Sequence, residues 1–237
     1  MTTTKKTALI TGASKGLGFA LATVLAKEGW QLLINARNAA QLRQAQLTLG
    51  QWTKVEAISG DVRDEVHLLQ FPERLAQNGW QLDLVVNNAS ILGASPQPAL
   101  LDLPIDALHQ IFHTNALAPI SLLQKVRPFL RPDATIINIS SDAAVHAYET
   151  WGGYGSSKAA VDHWTSILAK ENPHWNVYSV DPGDMRTDMH QAAYPGEDLS
   201  HLPLPDTLAV PGILHLIKNK RESGRYVAEE IGQAVLV

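Results

Sequence analysis

Residues 152–160 read GGYGSSKAA, which places Tyr154 four positions before Lys158. On a helix, residues four apart share one face, so the phenol and the ammonium group can interact. A free tyrosine has a pKa of about 10, and a nearby positive charge favours its phenolate form. In a partly buried site this pair is therefore suited to exchanging a proton. On an open helix surface the same spacing would be incidental. Other residues of the chain must therefore indicate whether this pair is catalytic.

A serine precedes this pair at a suitable position. The apolar run 134–140 ends at Ser140 and is followed by Ser141, thirteen positions before Tyr154. A serine hydroxyl at the carboxyl end of a strand is able to donate a hydrogen bond to a substrate oxygen. Successive strand residues point to opposite faces, so only one of the two serines is expected to serve. The spacing to Tyr154 favours Ser141.

Asn115 is a further polar candidate, because it lies in a segment with helical spacing four positions before Pro119. Proline has no N–H, so in a helix the main-chain carbonyl of Asn115 loses its usual partner. We expect this free carbonyl to bind a water molecule. The alternative is a proline kink that affects packing only.

A glycine-rich turn follows the first apolar run and reads Gly12-Ala13-Ser14-Lys15-Gly16-Leu17-Gly18. Glycines allow a phosphate to approach the backbone, and the helix that follows offers free N–H groups. The acid that reads a ribose hydroxyl is expected about 20 residues later, but the chain has Arg37 there instead. Arg37, with Lys15, is suited to a 2′-phosphate, which predicts NADP rather than NAD. The alternative is that Arg37 only ends a strand in solvent.

The elements that must position these residues alternate along the chain. Apolar runs at 7–11, 31–36, 55–59, 82–87, 134–140 and 176–180 are continuous, as in strands covered on both faces, and segments with helical spacing separate them. This pattern predicts an α/β fold: a single-domain, doubly wound (Rossmann) parallel sheet of about seven strands with helices on both faces. We assign residues 1–237 to one domain and predict a substrate flap at about 184–205, in a long stretch with little helical pattern. A disordered insertion is the alternative for this stretch.

Composition limits the class of function. The chain has 237 residues, no cysteine and a net charge of −4, so no sequence-wide positive field attracts nucleic acid. No segment has the roughly 20 apolar residues that span a bilayer, and the N-terminus lacks the apolar stretch of a secretory signal. We therefore expect a cytoplasmic protein that binds neither nucleic acid nor membrane.

Together these motifs resemble the classical short-chain dehydrogenase/reductase (SDR) family, from Thr11 to about Thr187. The resemblance implies that Tyr154 is the general acid–base and that Lys158 lowers its pKa and holds the nicotinamide ribose. It implies that Ser141 polarises a carbonyl and that Asn115 holds a water molecule linked to Lys158. It also implies contacts with NADP(H) for the glycine turn (Gly12, Ser14, Lys15, Gly16, Leu17 and Gly18) and for Arg37, Asp61, Val62, Asn87, Ala89, Pro182, Gly183 and Thr187.

One position departs from the family pattern, because Ser90 stands where Asn-Asn-Ala is usually followed by glycine. The expected reaction is the NADP(H)-dependent interconversion of a carbonyl and a secondary alcohol, in a largely apolar pocket near residues 90–92, 146–151 and the flap. The alternatives are a sepiapterin/pterin-type reductase and a non-catalytic NADP-binding regulator. His109 and His113 have no third ligand in sight, so we predict no metal site.

The resemblance further implies a homodimer or homotetramer, formed through long helices expected at 104–130 and 154–171. The last segment, RYVAEEIGQAVLV, is apolar enough to predict a further strand that meets a partner.

Overall fold

The computed structural model describes residues 5–235, and the side chains of residues 5–232. Seven strands form one sheet in the order β3-β2-β1-β4-β5-β6-β7, and every neighbouring pair is parallel. The strands are β1 (Thr7–Thr11), β2 (Gln31–Ala36), β3 (Val55–Ser59), β4 (Leu82–Asn87), β5 (Leu130–Ile139), β6 (Asn176–Asp181) and β7 (Gly224–Val227). The predicted parallel sheet is confirmed.

Ten α-helices lie between and after the strands in this part of the chain. They are α1 (Gly16–Lys27), α2 (Ala39–Leu49), α3 (Glu65–Leu68), α4 (Gln70–Asn78), α5 (Ile105–Phe112), α6 (Ala118–Val126), α7 (Gly152–Glu171), α8 (Asp188–Ala193), α9 (Ala209–Asn219) and α10 (Ala228–Val235). None of the described helices is long and apolar enough to cross a membrane.

The strands are apolar on both faces because helices cover both faces. Ile10 of β1 belongs to a core that includes Leu21 of α1 and Ile213 of α9. Its neighbour Leu9 belongs to the opposite core, with Phe71 of α4 and other buried side chains. Alternate residues of one strand thus enter two separate cores, which explains why the strand sequences are continuous apolar runs.

The strand order creates the crevice in which a site is expected. The chain moves from β1 outward to β2 and β3, then returns to place β4 on the other side of β1. At this reversal the connections after β1 and β4 leave the carboxyl edge in opposite directions. Such switch points are where open α/β sheets bind ligands.

Three expectations about secondary structure need correction or refinement. The C-terminal segment is not one strand: β7 ends at Val227, and Ala228–Val235 forms α10. Its last two residues, Leu236 and Val237, lie outside the described residues. The helix expected over 104–130 is interrupted by a π-helical turn, His113–Leu117, between α5 and α6. The stretch 184–205 contains the short helix α8, whose first turn is capped by the Thr187 hydroxyl.

Candidate active site

A cleft of about 990 Å³ opens at the carboxyl edge of the sheet. The turn after β1, the ends of β2 and β4, the segments after β5 and β6, and the start of α7 form its walls. The long connection between β6 and α9 completes it. Segments that are far apart in the sequence therefore meet at one edge, as the parallel sheet requires.

The glycine turn is packed tightly against the end of β4. A Cβ atom on Gly12 would lie 2.7 Å from the side-chain nitrogen of Asn88, and one on Gly18 would lie 2.6 Å from it. That nitrogen donates hydrogen bonds to the carbonyls of Thr11 (2.9 Å) and Gly12 (3.2 Å). The Thr11 hydroxyl in turn accepts from the N–H groups of Asn88 and Ala89, both at 3.0 Å. Glycines are required here because the space for a side chain is already filled.

The N-terminus of α1 is open to a ligand with negative charge. Lys15 stands at the N-cap position, no side chain among the described residues caps the helix, and the first turn has no acidic residue. The free N–H groups and the helix dipole therefore favour an anion at this point. The Lys15 ammonium group is 2.6 Å from Asp188 of α8, and both side chains are mostly exposed. This ion pair joins the glycine turn to the segment 184–205.

Arg37 and Asp61 lie at the ends of β2 and β3. Arg37 is exposed, and its guanidinium makes no hydrogen bond or ion pair with the described residues. Asp61 accepts hydrogen bonds from the Arg63 guanidinium at 3.1 and 2.8 Å. This guanidinium lowers the pKa of Asp61, and the charge of Arg37 lowers it further. The carboxylate of Asp61 is thus kept ionised, and the neighbouring Arg37 guanidinium remains available to a ligand.

Tyr154 and Lys158 are both buried on one face of α7, and burial dominates their pKa values. Burial raises the pKa of Tyr154, as does the charge of Asp181, although the hydroxyls of Ser141 and Ser90 lower it in part. Burial also lowers the pKa of Lys158 to about 8. Its ammonium donates to the carbonyl of Ile139 at 2.7 Å and lies 5.5 Å from the centre of the Tyr154 ring.

These positions differ from the expectation that Lys158 acidifies Tyr154. The ammonium lies over the ring and donates to a main-chain carbonyl, and burial rather than this ammonium dominates the pKa of Tyr154. Desolvation of the phenolate has the largest effect on the pKa of Tyr154, because a buried charge without a close partner is costly.

The two serines after β5 have different surroundings. Ser140 is 1% exposed, and its hydroxyl has no hydrogen-bond partner among the described residues. The Ser141 hydroxyl donates to Asp142 at 2.9 Å and accepts from the N–H of Ala143 at 3.1 Å. It also lies close enough to the Tyr154 hydroxyl to lower the pKa of that phenol. Ser141 is therefore the serine whose hydroxyl group shares the cleft with the phenol.

Asn115 lies in the π-helical turn and fastens the loop after β4 to α7. Its side-chain oxygen accepts from the N–H of Ile91 (2.9 Å) and the hydroxyl of Ser90 (3.0 Å). Its side-chain nitrogen donates to the carbonyl of Ile91 (2.9 Å) and to Ser157 (3.0 Å). The side chain is thus fully engaged, and only the main-chain carbonyl remains for the predicted water contact. Pro119 falls in the first turn of α6, where a missing N–H is tolerated.

Aromatic side chains form one wall of the cleft beside Tyr154. The ring of Trp151 packs edge-on against Tyr154, with centroids 5.7 Å apart, and lies 6.0 Å from Tyr194. The His190 ring is 5.1 Å from Tyr194. We call Trp151, Tyr154, His190 and Tyr194 the aromatic wall. Two of its members come from the segment 184–205, so this segment helps to enclose the space next to the phenol.

Most of the residues predicted as a site meet in this cleft. It is lined by Gly12, Ser14, Lys15, Gly16, Leu17, Arg37, Asp61, Val62, Ala89, Ser141, Tyr154, Lys158, Pro182, Gly183 and Thr187. Three predicted residues do not line it: Gly18 and Asn115 act through packing and hydrogen bonds, and the side chain of Asn87 donates to Asn138 behind the sheet edge at 2.7 Å. Asn88 lines the cleft instead of Asn87.

Sequence reasoning did not assign a role to Thr11, Asn88 or Arg225. Strand alternation was the available signal for Asn88, because consecutive residues at the end of β4 point in opposite directions. Nothing local marks Arg225, whose guanidinium reaches the carbonyl of Ser141 from the edge strand β7.

The residues of this cleft fit a nicotinamide dinucleotide. The uncapped N-terminus of α1 and the side-chain-free cradle at Gly12 suit a pyrophosphate. Arg37 is available to a 2′-phosphate, and Lys158 offers a buried ammonium to a ribose at the other end of the cleft.

Known proteins are similar to this chain in sequence over most of its length. A sepiapterin reductase from Mus musculus is 34% identical over 202 residues, covering 78% of this chain and 76% of that protein. A Pseudomonas aeruginosa protein named rhamnolipids biosynthesis 3-oxoacyl-[acyl-carrier-protein] reductase is 32% identical over 185 residues, covering 74% and 71%.

Solved structures and a family model are similar over most of the chain. A short chain dehydrogenase from Shigella flexneri, complexed with NADP, has a TM-score of 0.87 and 26% identity over 94% of this chain and 96% of that chain. One from Escherichia coli CFT073, complexed with NADPH, has a TM-score of 0.84 and 26% identity over the same shares. The family model described as short chain dehydrogenase matches residues 6–198. The chain therefore belongs to the short chain dehydrogenase family of oxidoreductases.

Proposed function

We propose that this protein is an NADP(H)-dependent oxidoreductase that interconverts a carbonyl compound and a secondary alcohol. The observation that carries the proposal is the meeting of the Tyr154 and Ser141 hydroxyls in the cleft that also contains the glycine turn. A bound nicotinamide supplies the hydride for reduction or accepts it for oxidation.

Tyr154 is the general acid–base in this proposal. During reduction, its hydroxyl donates a proton to the carbonyl oxygen. The Ser141 hydroxyl turns from Asp142 to donate its hydrogen bond to the same oxygen. The raised pKa of Tyr154 keeps the phenol protonated at neutral pH, which suits reduction. Oxidation of an alcohol needs the phenolate and is therefore expected to accelerate as pH rises.

Lys158 holds the ribose next to the nicotinamide and restores the proton of Tyr154 through water. Its pKa of about 8 means that both of its protonation states are accessible near neutral pH. Asn115 has the supporting role of holding the loop at residues 90–91 and, through its carbonyl, a water molecule of this relay.

The proposed preference for NADP over NAD rests on Arg37 and Lys15. Arg37 is exposed at the end of β2 and forms no ion pair with the residues that the structure describes, so its guanidinium is available to pair with a 2′-phosphate. NADP and NADPH are also the ligands of the similar Shigella flexneri and Escherichia coli structures. Gly12, Ser14, Gly16, Leu17, Asp61, Val62, Ala89, Pro182, Gly183 and Thr187 complete the proposed cofactor contacts, with Gly18 and Asn87 behind them.

Reduction of a pterin side chain is the second candidate. It is favoured by the similarity to sepiapterin reductase and by the aromatic wall, which offers ring surfaces to a flat heterocycle. A non-catalytic NADP-binding regulator is the third, but such a protein has no need of Ser141, Tyr154 and Lys158 together. For either of the two reductase activities, the segment 184–205 acts as the flap that closes over the substrate.

A cytoplasmic homodimer or homotetramer completes the proposal. A second, smaller groove of about 370 Å³ lies between α6 and α7 and is lined by Leu123, Trp164, Ile167 and Trp175 among others. Ile167 is 44% exposed there. Apolar surface of this kind on the two helices suits contact with a second copy of the chain.

The test is a substrate screen with purified protein. NADPH oxidation is followed with an aliphatic ketone, an aromatic ketone, a 3-oxo ester and sepiapterin, and the alcohol product is identified by mass spectrometry. We expect turnover with at least one of these and a large loss in Tyr154→Phe. NADPH binding without turnover of any compound would favour the regulator, and equal turnover in wild type and variant would refute the assigned role of Tyr154.

A further inference from the structure

Arg225 makes three contacts that join separate parts of the candidate active site. It lies in the edge strand β7, paired in register with Ser179 of β6. Its Nη2 atom donates to the main-chain carbonyl of Ser141 at 3.0 Å and to the carboxylate of Asp181 at 3.1 Å. Its Nε atom donates to the carboxylate of Asp162 at 2.9 Å. One guanidinium thus links the ends of β5 and β6 to α7.

The two carboxylates that Arg225 binds are close to the proposed chemistry. Asp181 immediately precedes Pro182 and accepts a hydrogen bond from the N–H of Gly183 at 3.1 Å. Asp162 lies one helical turn after Lys158 on α7. Their side chains are only 7% and 15% exposed, so water screens these charges weakly.

Each carboxylate acts on one of the proposed catalytic groups. The negative charge of Asp181 raises the pKa of Tyr154, and Asp142, from the segment after β5, acts in the same direction. The negative charge of Asp162 raises the pKa of Lys158. The positive charge of Arg225 balances Asp181 and Asp162, and it also favours the ionised form of Asp181 against the effect of burial.

We propose that Arg225 is a positioning residue of the reaction, which fixes the backbone of Ser141 and balances the two carboxylates behind Tyr154 and Lys158. This inference rests on the proposed function and deepens it. A lysine would be a poor substitute, because a single ammonium lacks the planar set of donors that reaches three acceptors on three elements. Its site in an edge strand also makes β7 part of the active-site architecture.

The pH dependence of alcohol oxidation distinguishes this role from simple stabilisation of the fold. The substrate is the alcohol that corresponds to the ketone turned over in the NADPH screen, with NADP⁺ as the oxidant. Oxidation needs the Tyr154 phenolate, so kcat rises with pH. In Arg225→Met, Asp181 is left unbalanced, and this rise should move to higher pH by about 0.5–1 unit.

Two further variants make the result specific. Adding Asp181→Asn to Arg225→Met removes the unbalanced charge and should return the rise towards its wild-type pH, although the lost contact to Ser141 keeps kcat low. Arg225→Lys should keep the rise near its wild-type pH while kcat falls, and it gives a readout if the methionine variant does not fold. Thermal unfolding of each variant verifies folding.

The outcomes separate the inference from the proposed function. An unshifted rise in folded Arg225→Met would overturn the inference while leaving the proposed function intact, and so would a shift that Asp181→Asn fails to reverse. If Arg225→Met does not fold, Arg225→Lys decides. A rise in kcat that moves to higher pH by about 0.5–1 unit in Arg225→Lys would then overturn the inference. Absence of any turnover by the wild-type protein contradicts the proposed function itself, and the inference with it.

Discussion

Replacing Gly12 with alanine tests the cradle at the glycine turn, and Gly79 provides a matched control. Both glycines have positive φ angles, 67° at Gly12 and 63° at Gly79. Their surroundings differ. A Cβ atom on Gly79 would meet no atom of the described chain within 4 Å, whereas one on Gly12 would lie 2.7 Å from the Asn88 side-chain nitrogen and 3.1 Å from the Cα of Ala89. The two variants therefore share the backbone strain and differ in the collision.

The expected costs follow from these distances. A left-handed conformation costs a non-glycine residue about 1–2 kcal/mol, which is the whole penalty expected for Gly79→Ala. In Gly12→Ala, the Asn88 amide must also move away from the carbonyls of Thr11 and Gly12. Each hydrogen bond contributes about 0.5–1.5 kcal/mol, so the loss of both adds about 1–3 kcal/mol.

Urea unfolding and fluorescence titration with NADPH measure the two consequences. We expect Gly12→Ala to be less stable than Gly79→Ala by about 1–3 kcal/mol. We also expect it to bind NADPH at least about tenfold more weakly than wild type, which corresponds to about 1.4 kcal/mol. Gly79→Ala, far from the cleft, should bind NADPH like the wild type. Equal stability and equal NADPH affinity in the two variants would refute the cradle.

Three other substitutions test separate parts of the account. Arg37→Glu should reduce the preference for NADPH over NADH by about tenfold or more. The control Arg43→Glu, at an exposed position of α2, should leave this preference unchanged. Equal effects of the two substitutions on the Kd values would contradict the 2′-phosphate contact. Burial lowers the pKa of Lys158 from 10.5 to about 8, so between these values the unfolded chain binds more protons than the folded one. Above pH 8, the unfolding free energy of the wild type should then rise relative to that of Lys158→Met by up to about 1.4 kcal/mol per pH unit. Parallel plots of the two unfolding free energies against pH would contradict the buried ammonium. Ser90→Gly, which restores the usual family residue, should lower the unfolding free energy by about 1–2 kcal/mol through loss of the hydrogen bond to Asn115, and an unchanged urea midpoint would argue against that bond.

The strands could be predicted because each carries its own signal. Runs such as Gln31–Ala36 and Leu82–Asn87 are apolar on both faces, and the structure covers them on both sides. The C-terminal segment could not be predicted correctly from composition. Its apolar residues suit either a strand or an amphipathic helix, and packing of α10 against α9 decides for the helix after Val227.

The candidate site divides in the same way. Tyr154, Lys158 and the glycine turn are neighbours in the sequence, so their spacing indicates a function before any fold is known. Asn88 and Arg225 act through partners 77 and 84 positions away, and no local pattern encodes such contacts. The pKa of Tyr154 could not be predicted from the sequence either, because it depends on burial and on Asp181 more than on the Lys158 ammonium.

The most direct test of the central claim is single-turnover reduction of a ketone by wild type and by Tyr154→Phe, each saturated with NADPH. If the Tyr154 hydroxyl donates the proton, its removal should slow the chemical step by about 10²–10⁴-fold, because that is the usual contribution of general acid catalysis. NADPH affinity should change little, since the phenylalanine ring fills the same space against Trp151. Equal single-turnover rates at saturating NADPH would contradict the account.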